Sequence, residues 1–287
     1  FNPRSTSFFA SDNPKHVVIE DNFNDYKPTN LSNWFSGPNT IESITGVPNL
    51  NTTNVKFLSS VFGNCTALTS IDPAGWDLSS VVYISQMFKG CSALEELDFS
   101  NVNFQSATSF SNVFNNCTSL ESLNLSNWNC PKATSFSSFL SGCSTLTDID
   151  VSGWSCPIAT GFGSFFKGCS SLVELDLSQW NCPSGADFND MFTNCTSLES
   201  LNLSNFITSS AKKFVRTFSN CSSLVNLNLS NWDVSSVSTF SSMFQNCSNL
   251  VNAPVISNSV INMHTTFYDC SNLEELDLNF NTSNVTD

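Results

Sequence analysis

The sequence has little positive charge: ten Lys and Arg stand against 24 Asp and Glu in 287 residues, for a net charge of −14. Nucleic-acid binding draws on Lys and Arg at the phosphates, and ten such residues scattered without a basic stripe argue against DNA or RNA as a partner. Anionic membrane surfaces are disfavoured for the same reason. Histidine is scarcer still, with only His16 and His264. No serine elbow, phosphate loop or paired-His motif is present, so the chain reads as non-enzymatic, with no catalytic residue to name. No CxxC pair or His cluster marks a metal site. No apolar run reaches the roughly 18 residues of a membrane-spanning helix, so this segment inserts in no bilayer as a helix. The chain opens at Phe1 without Met or a charged-then-apolar leader, which suits a processed or excised segment with any signal or anchor outside it.

What the sequence does have is a repeat. The stretch FNNCTSLESLNLSNW, residues 114–128, returns along almost the whole chain. Its cysteine recurs as Cys65, Cys91, Cys117, Cys143, Cys169, Cys195, Cys221 and Cys247, always 26 residues apart, and then as Cys270 after 23. Three, six and eight residues after the cysteine come apolar positions, as in Leu120, Leu123 and Leu125. The last two are separated by one outward residue, a strand period. A fixed period carrying L-x-x-L-x-L, with each unit covering its neighbour's apolar face, is the mark of a leucine-rich solenoid. The expected fold is therefore an α/β repeat solenoid of about ten turns, with a parallel strand face.

Eleven residues after the cysteine stands an aromatic in most turns: Trp76, Trp128, Trp154, Trp180, Phe206 and Trp232. These side chains are expected to stack as part of the core. The return segment pairs Phe110 with Phe114 and Phe188 with Phe192, a spacing of four that predicts a short helix or 3₁₀ segment on the convex side. Residues 1–29 carry no repeat and are expected to form an N-terminal cap, with Val17 to Ile19 as an edge strand. The solenoid then occupies 30–287, with its first turn beginning near Pro38. The turn 247–269 is degenerate, with a kink expected there, and the last turn is truncated at Asp287.

The pattern MF-x-x-C-x-x-L-x-x-L-x-L-S-x-W, as at Met191 to Phe206, resembles the BspA-like leucine-rich repeats of microbial surface proteins. So does the closing NTSNVTD, residues 281–287. The resemblance covers about residues 30–287. It implies a secreted or cell-surface protein of the kind associated with adhesion. It implies no enzyme activity and no particular ligand.

Twelve cysteines in a secreted chain suggest disulfides. Nine, however, hold one position per turn, where a small buried side chain is needed. The other three, Cys130, Cys156 and Cys182, share a second position that is Leu78, Phe104 or Val234 in other turns. The expectation is buried free thiols, because parallel Cβ directions between stacked turns are unfavourable for bonding.

The outward strand positions build an acidic face from Glu96, Asp98, Asp148, Asp150, Glu174 and Asp176, centred on the turns of Asp148 and Asp176. One reading is a solvated polar face. The other is a site for calcium or a cationic partner, since closely stacked carboxylates repel unless neutralised. Twelve Asn-x-Ser/Thr sequons include Asn64, Asn116, Asn194, Asn220 and Asn246 before the cysteines, and Asn124, Asn202 and Asn228 on the strands. They are candidate glycosylation sites, although copying one consensus Asn also explains their number. The functional expectation is an extracellular or cell-surface protein that recognises a protein or glycan through the solenoid face. The alternative is a structural subunit of a surface layer or filament, in contact with copies of itself.

Overall fold

The computed structural model describes residues 14–37, 40–73, 75–100, 102–126, 128–252 and 262–274. Seven three-residue strands form in it: β1 (His16–Val18), β2 (Ser43–Thr45), β3 (Glu96–Asp98), β4 (Ser122–Asn124), β5 (Asp148–Asp150), β6 (Glu174–Asp176) and β7 (Ser200–Asn202). Every pairing is parallel. β1 joins β2, β3 and β5 flank β4, and β6 joins β7. In β3 to β7 the middle residue faces inward, with Leu97, Leu123, Leu175 and Leu201 buried and Ile149 half-buried. A second ladder of single bridges runs through ten residues on the opposite flank, from Asn30, Phe57 and Tyr83 to Thr239 and Asn262. The chain is thus the expected parallel solenoid, held along its axis by backbone hydrogen bonds.

The convex side differs from the expected helix or 3₁₀ segment. The Val113 N–H donates to Phe110 O and the Cys117 N–H to Phe114 O, closing two consecutive four-residue turns. Asn112 and Asn116, the third residues of those turns, have φ of 59° and 61°. A left-handed residue at that position reverses the chain as in a type II turn and prevents helical propagation. The turns instead donate to the next layer, Phe110 N–H to Ser135 O and Phe114 N–H to Phe139 O. Phe110, Val113, Phe114 and Cys117 are buried because the first and last residue of each turn point inward. That geometry reproduces the burial spacing of a helix without being one. Among the described residues, helical segments are limited to 3₁₀ turns at Asp21–Asp25 and Val47–Asn49.

The core is a set of columns. Trp128, Trp154 and Trp180 stack at 5.8 and 5.4 Å between centroids, and Phe206 and Trp232 continue the column at 6.0 Å each. Phe110, Phe136 and Phe162 form another, at 4.9 and 5.8 Å. Parallel stacks at this separation arise because one registered layer places identical rings over one another, and the pairs add to the area they bury.

Each column cysteine donates its thiol to a carbonyl of the turn before, that of Leu140 for Cys169 and of a phenylalanine for the other eight, as in Cys91 Sγ to Phe62 O at 3.0 Å and Cys117 Sγ to Phe88 O at 3.1 Å. The position needs a small apolar body that can also satisfy a carbonyl, and the thiol supplies both. Burial pushes the Cys65, Cys143, Cys195 and Cys247 thiols up to about 12, which preserves the donor proton.

The expectation of free thiols throughout is corrected at one place. Cys156 and Cys182 are disulfide-bonded, with Cα atoms 5.1 Å apart, while the other ten cysteines are free. The spacing of stacked turns falls inside the disulfide range, and the side chains adjust within it.

Residues 14–29 stack as a further layer, since β1 pairs with β2 at a separation of 27 and buries Val17. The expected edge strand is β1. At the other end, Thr239 bridges Asn262 after 23 residues, and Phe244 stacks on Phe267 at 5.4 Å. The columns therefore pass through the shortened turn. The kink expected in the turn 247–269 would fall on residues 253–261, which, like the last leucines Leu276 and Leu278 and NTSNVTD, lie outside the described residues.

Candidate functional site

The strand face gains its shape from the pleat. With Leu97 and Leu123 turned inward, Glu96 and Asp98 on β3 and Asp148 and Asp150 on β5 stand exposed on either side of β4. They line an open hollow of about 580 Å³ together with Asp72, Ser122 and Asn124, over a floor that includes Ile71, Leu97 and Leu123. The lining contains five carboxylates and no cation. Glu174 and Asp176 lie outside the hollow, on β6, which pairs with β7 rather than β5. The acidic hollow is thus centred nearer the N-terminus than Asp148 and Asp176, and it gains Asp72.

The last residue of each strand from β3 to β7 also has local backbone work. The Ser100 N–H donates to Asp98 Oδ1 at 2.8 Å, Ser152 N–H to Asp150 Oδ1 at 2.8 Å and Ser178 N–H to Asp176 Oδ1 at 2.7 Å. Asn124, Asn202 and Asn228 accept the same bond from Ser126, Ser204 and Ser230. This Asx turn ends the strand, and either Asp or Asn can make it. The Ser100 and Ser178 hydroxyls and amides hold the Asp98 and Asp176 carboxyls below the ordinary carboxylate range, so both stay ionised. No group of three or more His, Cys, Asp or Glu among the described residues is arranged to hold a metal ion.

The sequons before the cysteines have a comparable explanation. Asn64, Asn116, Asn194, Asn220 and Asn246 all sit in the left-handed region, and Gly90, Gly142 and Gly168 fill the same position in other turns. Asn is among the few non-Gly residues that tolerate this conformation. The next residue is the buried cysteine. The hydroxyl after it bonds the preceding turn, as in Thr118 Oγ1 to Ser92 O at 3.4 Å and Ser144 Oγ to Thr118 O at 3.4 Å. Left-handed Asn, buried Cys and bonded hydroxyl together spell a sequon.

One exposed pair escaped the sequence reading. Phe57 and Tyr83 stack at 5.1 Å on the bridge ladder, 40% and 49% exposed. Their shared register, 26 residues apart, was the available signal, but both precede the regular Phe column and look like variants of it.

Leucines at a fixed register, parallel strands and a continuous core define the class: this is a leucine-rich-repeat solenoid. The chain belongs to the family described as Mycoplasma protein of unknown function, DUF285, which matches residues 29–154, 134–258 and 253–287. Similar solved structures include a leucine-rich cell surface protein from Faecalibacterium prausnitzii, at 18% identity and a TM-score of 0.40, covering 91% of this chain and 78% of that one. An internalin from Listeria monocytogenes is 18% identical at a TM-score of 0.33, covering 74% of this chain and 56% of that one. A leucine-rich repeat protein from Bacteroides ovatus is 17% identical at 0.21, covering 86% and 88%. No curated protein matches the sequence.

Proposed function

We propose that the chain is a non-enzymatic, extracellular or cell-surface recognition module that holds a basic protein segment against its strand face. The observation that supports this is the hollow whose lining gathers the exposed carboxylates Glu96, Asp98, Asp148 and Asp150 and contains no Lys or Arg. Like charges gathered around one hollow repel, and a Lys- or Arg-bearing partner relieves that repulsion on binding. A sheet face built of short registered strands also offers an extended surface at fixed spacing.

Catalysis finds little support in the described residues. His16 Nδ1 lies 2.9 Å from Ser43 Oγ, but the two are register partners on exposed strands, and neighbouring Glu42 is held by Lys15 at 2.8 Å. Burial drives the Cys65 and Cys143 thiols toward the neutral form, which leaves little thiolate at neutral pH for attack on a substrate. No helix of the described residues is long and apolar enough to cross a membrane.

The test is binding of the purified chain to immobilised matrix proteins and to cells, repeated with Glu96→Gln/Asp148→Asn. Saturable binding that weakens at high salt and in the double variant supports the proposal. Absence of saturable binding by a folded chain overturns it. End-to-end filaments of the native protein in electron micrographs would favour the structural-subunit reading instead.

A further inference from the structure

Cys130, Cys156 and Cys182 occupy one column in three consecutive turns, in the sequences Trp-Asn-Cys-Pro, Trp-Ser-Cys-Pro and Trp-Asn-Cys-Pro. Their surroundings are nearly the same. Asn129 bridges Ser155 and Ser155 bridges Asn181, both parallel. The Cys130 N–H donates to Ser155 O at 2.9 Å, and the Cys156 N–H to Asn181 O at 3.1 Å. Each cysteine then accepts at its own carbonyl from the residue three later, Ala133, Ala159 or Gly185, at 3.1 to 3.2 Å. On the inner side the three tryptophans stack with Trp154 between its neighbours. Cys156 therefore meets equivalent neighbours above and below, and only one of them, Cys182, holds its disulfide.

We propose that this disulfide has two positions and moves between them by internal exchange, with Cys156 as the shared sulfur. Cys130 loses its proton, and the thiolate attacks Cys156 Sγ. A Cys130–Cys156 bond forms as the Cys156–Cys182 bond breaks, and the Cys182 thiolate takes up the proton. One disulfide and one thiol are present before and after, so no oxidant or reductant is consumed. Exchange requires the attacking, central and leaving sulfurs to lie in line. A column of three equally registered side chains along the solenoid axis supplies that order.

The two positions differ in what they leave free. In one the thiol is Cys130, 1% exposed with Phe104 as its column neighbour on the outer side. In the other it is Cys182, 8% exposed with Thr208 as its neighbour. The exchange thus converts a sealed thiol into one nearer the surface, open to an external thiol reagent. Burial pushes the Cys130 thiol up, so the thiolate is scarce at neutral pH and the step accelerates as pH rises.

The experiment maps disulfides in the folded wild-type chain. The protein is held at several pH values between 7 and 9, blocked with N-ethylmaleimide, acidified, digested without reductant and analysed by mass spectrometry. Both linked peptides, Cys130–Cys156 and Cys156–Cys182, are expected, with native labelling at Cys182 rather than Cys130. The labelling rate should rise about tenfold per pH unit while the thiolate remains the minor form. C182S, refolded with oxidised glutathione, should hold a Cys130–Cys156 bond, and C130S only the Cys156–Cys182 bond. Wild-type protein showing the Cys156–Cys182 bond alone at every pH, with Cys182 never labelled, overturns the proposal whether or not the variants fold.

Discussion

Trp154 lies over Trp180 with ring centroids 5.4 Å apart and planes 3° from parallel, and both indoles are buried. The stack makes each ring part of its neighbour's environment, so a loss in one turn is felt in the two beside it. Trp154→Ala should cost about 3 to 5 kcal/mol, concentrated at those two interfaces. Hydrogen exchange should accelerate around residues 128–180 while Leu68 to Leu97 stays protected. Unchanged stability in that variant would contradict the placement of the column in the core.

The tryptophans are not equally satisfied. Trp128 Nε1 donates to Phe99 O at 3.0 Å, whereas Trp154 Nε1 is buried without a hydrogen-bond partner among the described residues. Trp128→Phe loses a bond, although Phe99 O keeps the Val102 N–H at 3.1 Å, while Trp154→Phe removes an unsatisfied N–H. The first should therefore be the more destabilising by about 1 kcal/mol in urea unfolding. Equal costs would mean that Trp154 finds a partner in solution.

At Asn116 the backbone conformation decides the outcome. With φ at 61°, Asn116→Ala should destabilise by about 1 kcal/mol or more, and Asn116→Gly much less. Thermal unfolding of the two variants checks the order. The same comparison at Asn124, where the side chain accepts from Ser126 N–H at 3.0 Å, should instead favour Asp over both Ala and Gly.

Asp190 joins two turns: its carboxylate accepts from Arg216 Nε and Nη2 at 2.9 Å each, with Lys167 at 3.6 Å. Burial pushes its carboxyl up, but the Arg216 hydrogen bonds and the two positive charges outweigh this and set it below the ordinary range. A carboxyl lowered in the folded state stabilises above its unfolded pKa, and that contribution is lost as pH falls through the folded value. The difference between wild type and Asp190→Asn should thus be constant near neutrality and shrink below about pH 4. Because Arg216 is half exposed, the expected size is only about 1 kcal/mol.

Thiol counting tests the rest of the cysteine assignment. Denatured without reductant, the chain should present ten reactive thiols, and reduction should add two. In the native state Cys270, the least buried of the nine-membered column, should react first.

Much of this structure was legible because a solenoid repeats its errors and its rules alike. Leu120, Leu123 and Leu125 report the inward side of a strand wherever they recur, and Trp128 to Trp180 report a column. The convex segment was misread for a physical reason. Phe110, Val113, Phe114 and Cys117 have helical spacing, yet two left-handed turns bury the same four side chains. The overlooked sign was the alternation of Asn116 with Gly142 and Gly168 at one position, since those residue types share little except tolerance of positive φ. The acidic strand face was legible as chemistry but not in extent. The break in pairing between β5 and β6 that sets its centre leaves no mark in Asp148, Asp150, Glu174 or Asp176. The disulfide was hidden because Cys130, Cys156 and Cys182 are alike in register, and sequence cannot choose among equals.

The bonds that run from each layer to the next, such as Phe114 N–H to Phe139 O, lie along the solenoid axis. A load applied between the two ends would meet these layers in series, not all at once. Turns would peel singly, and each would release 26 residues, about 90 Å of extended chain. Such a molecule yields in steps under tension and absorbs work at each one. Where Cys156 is tied to Cys182, the step is withheld until the sulfur bond itself is cut.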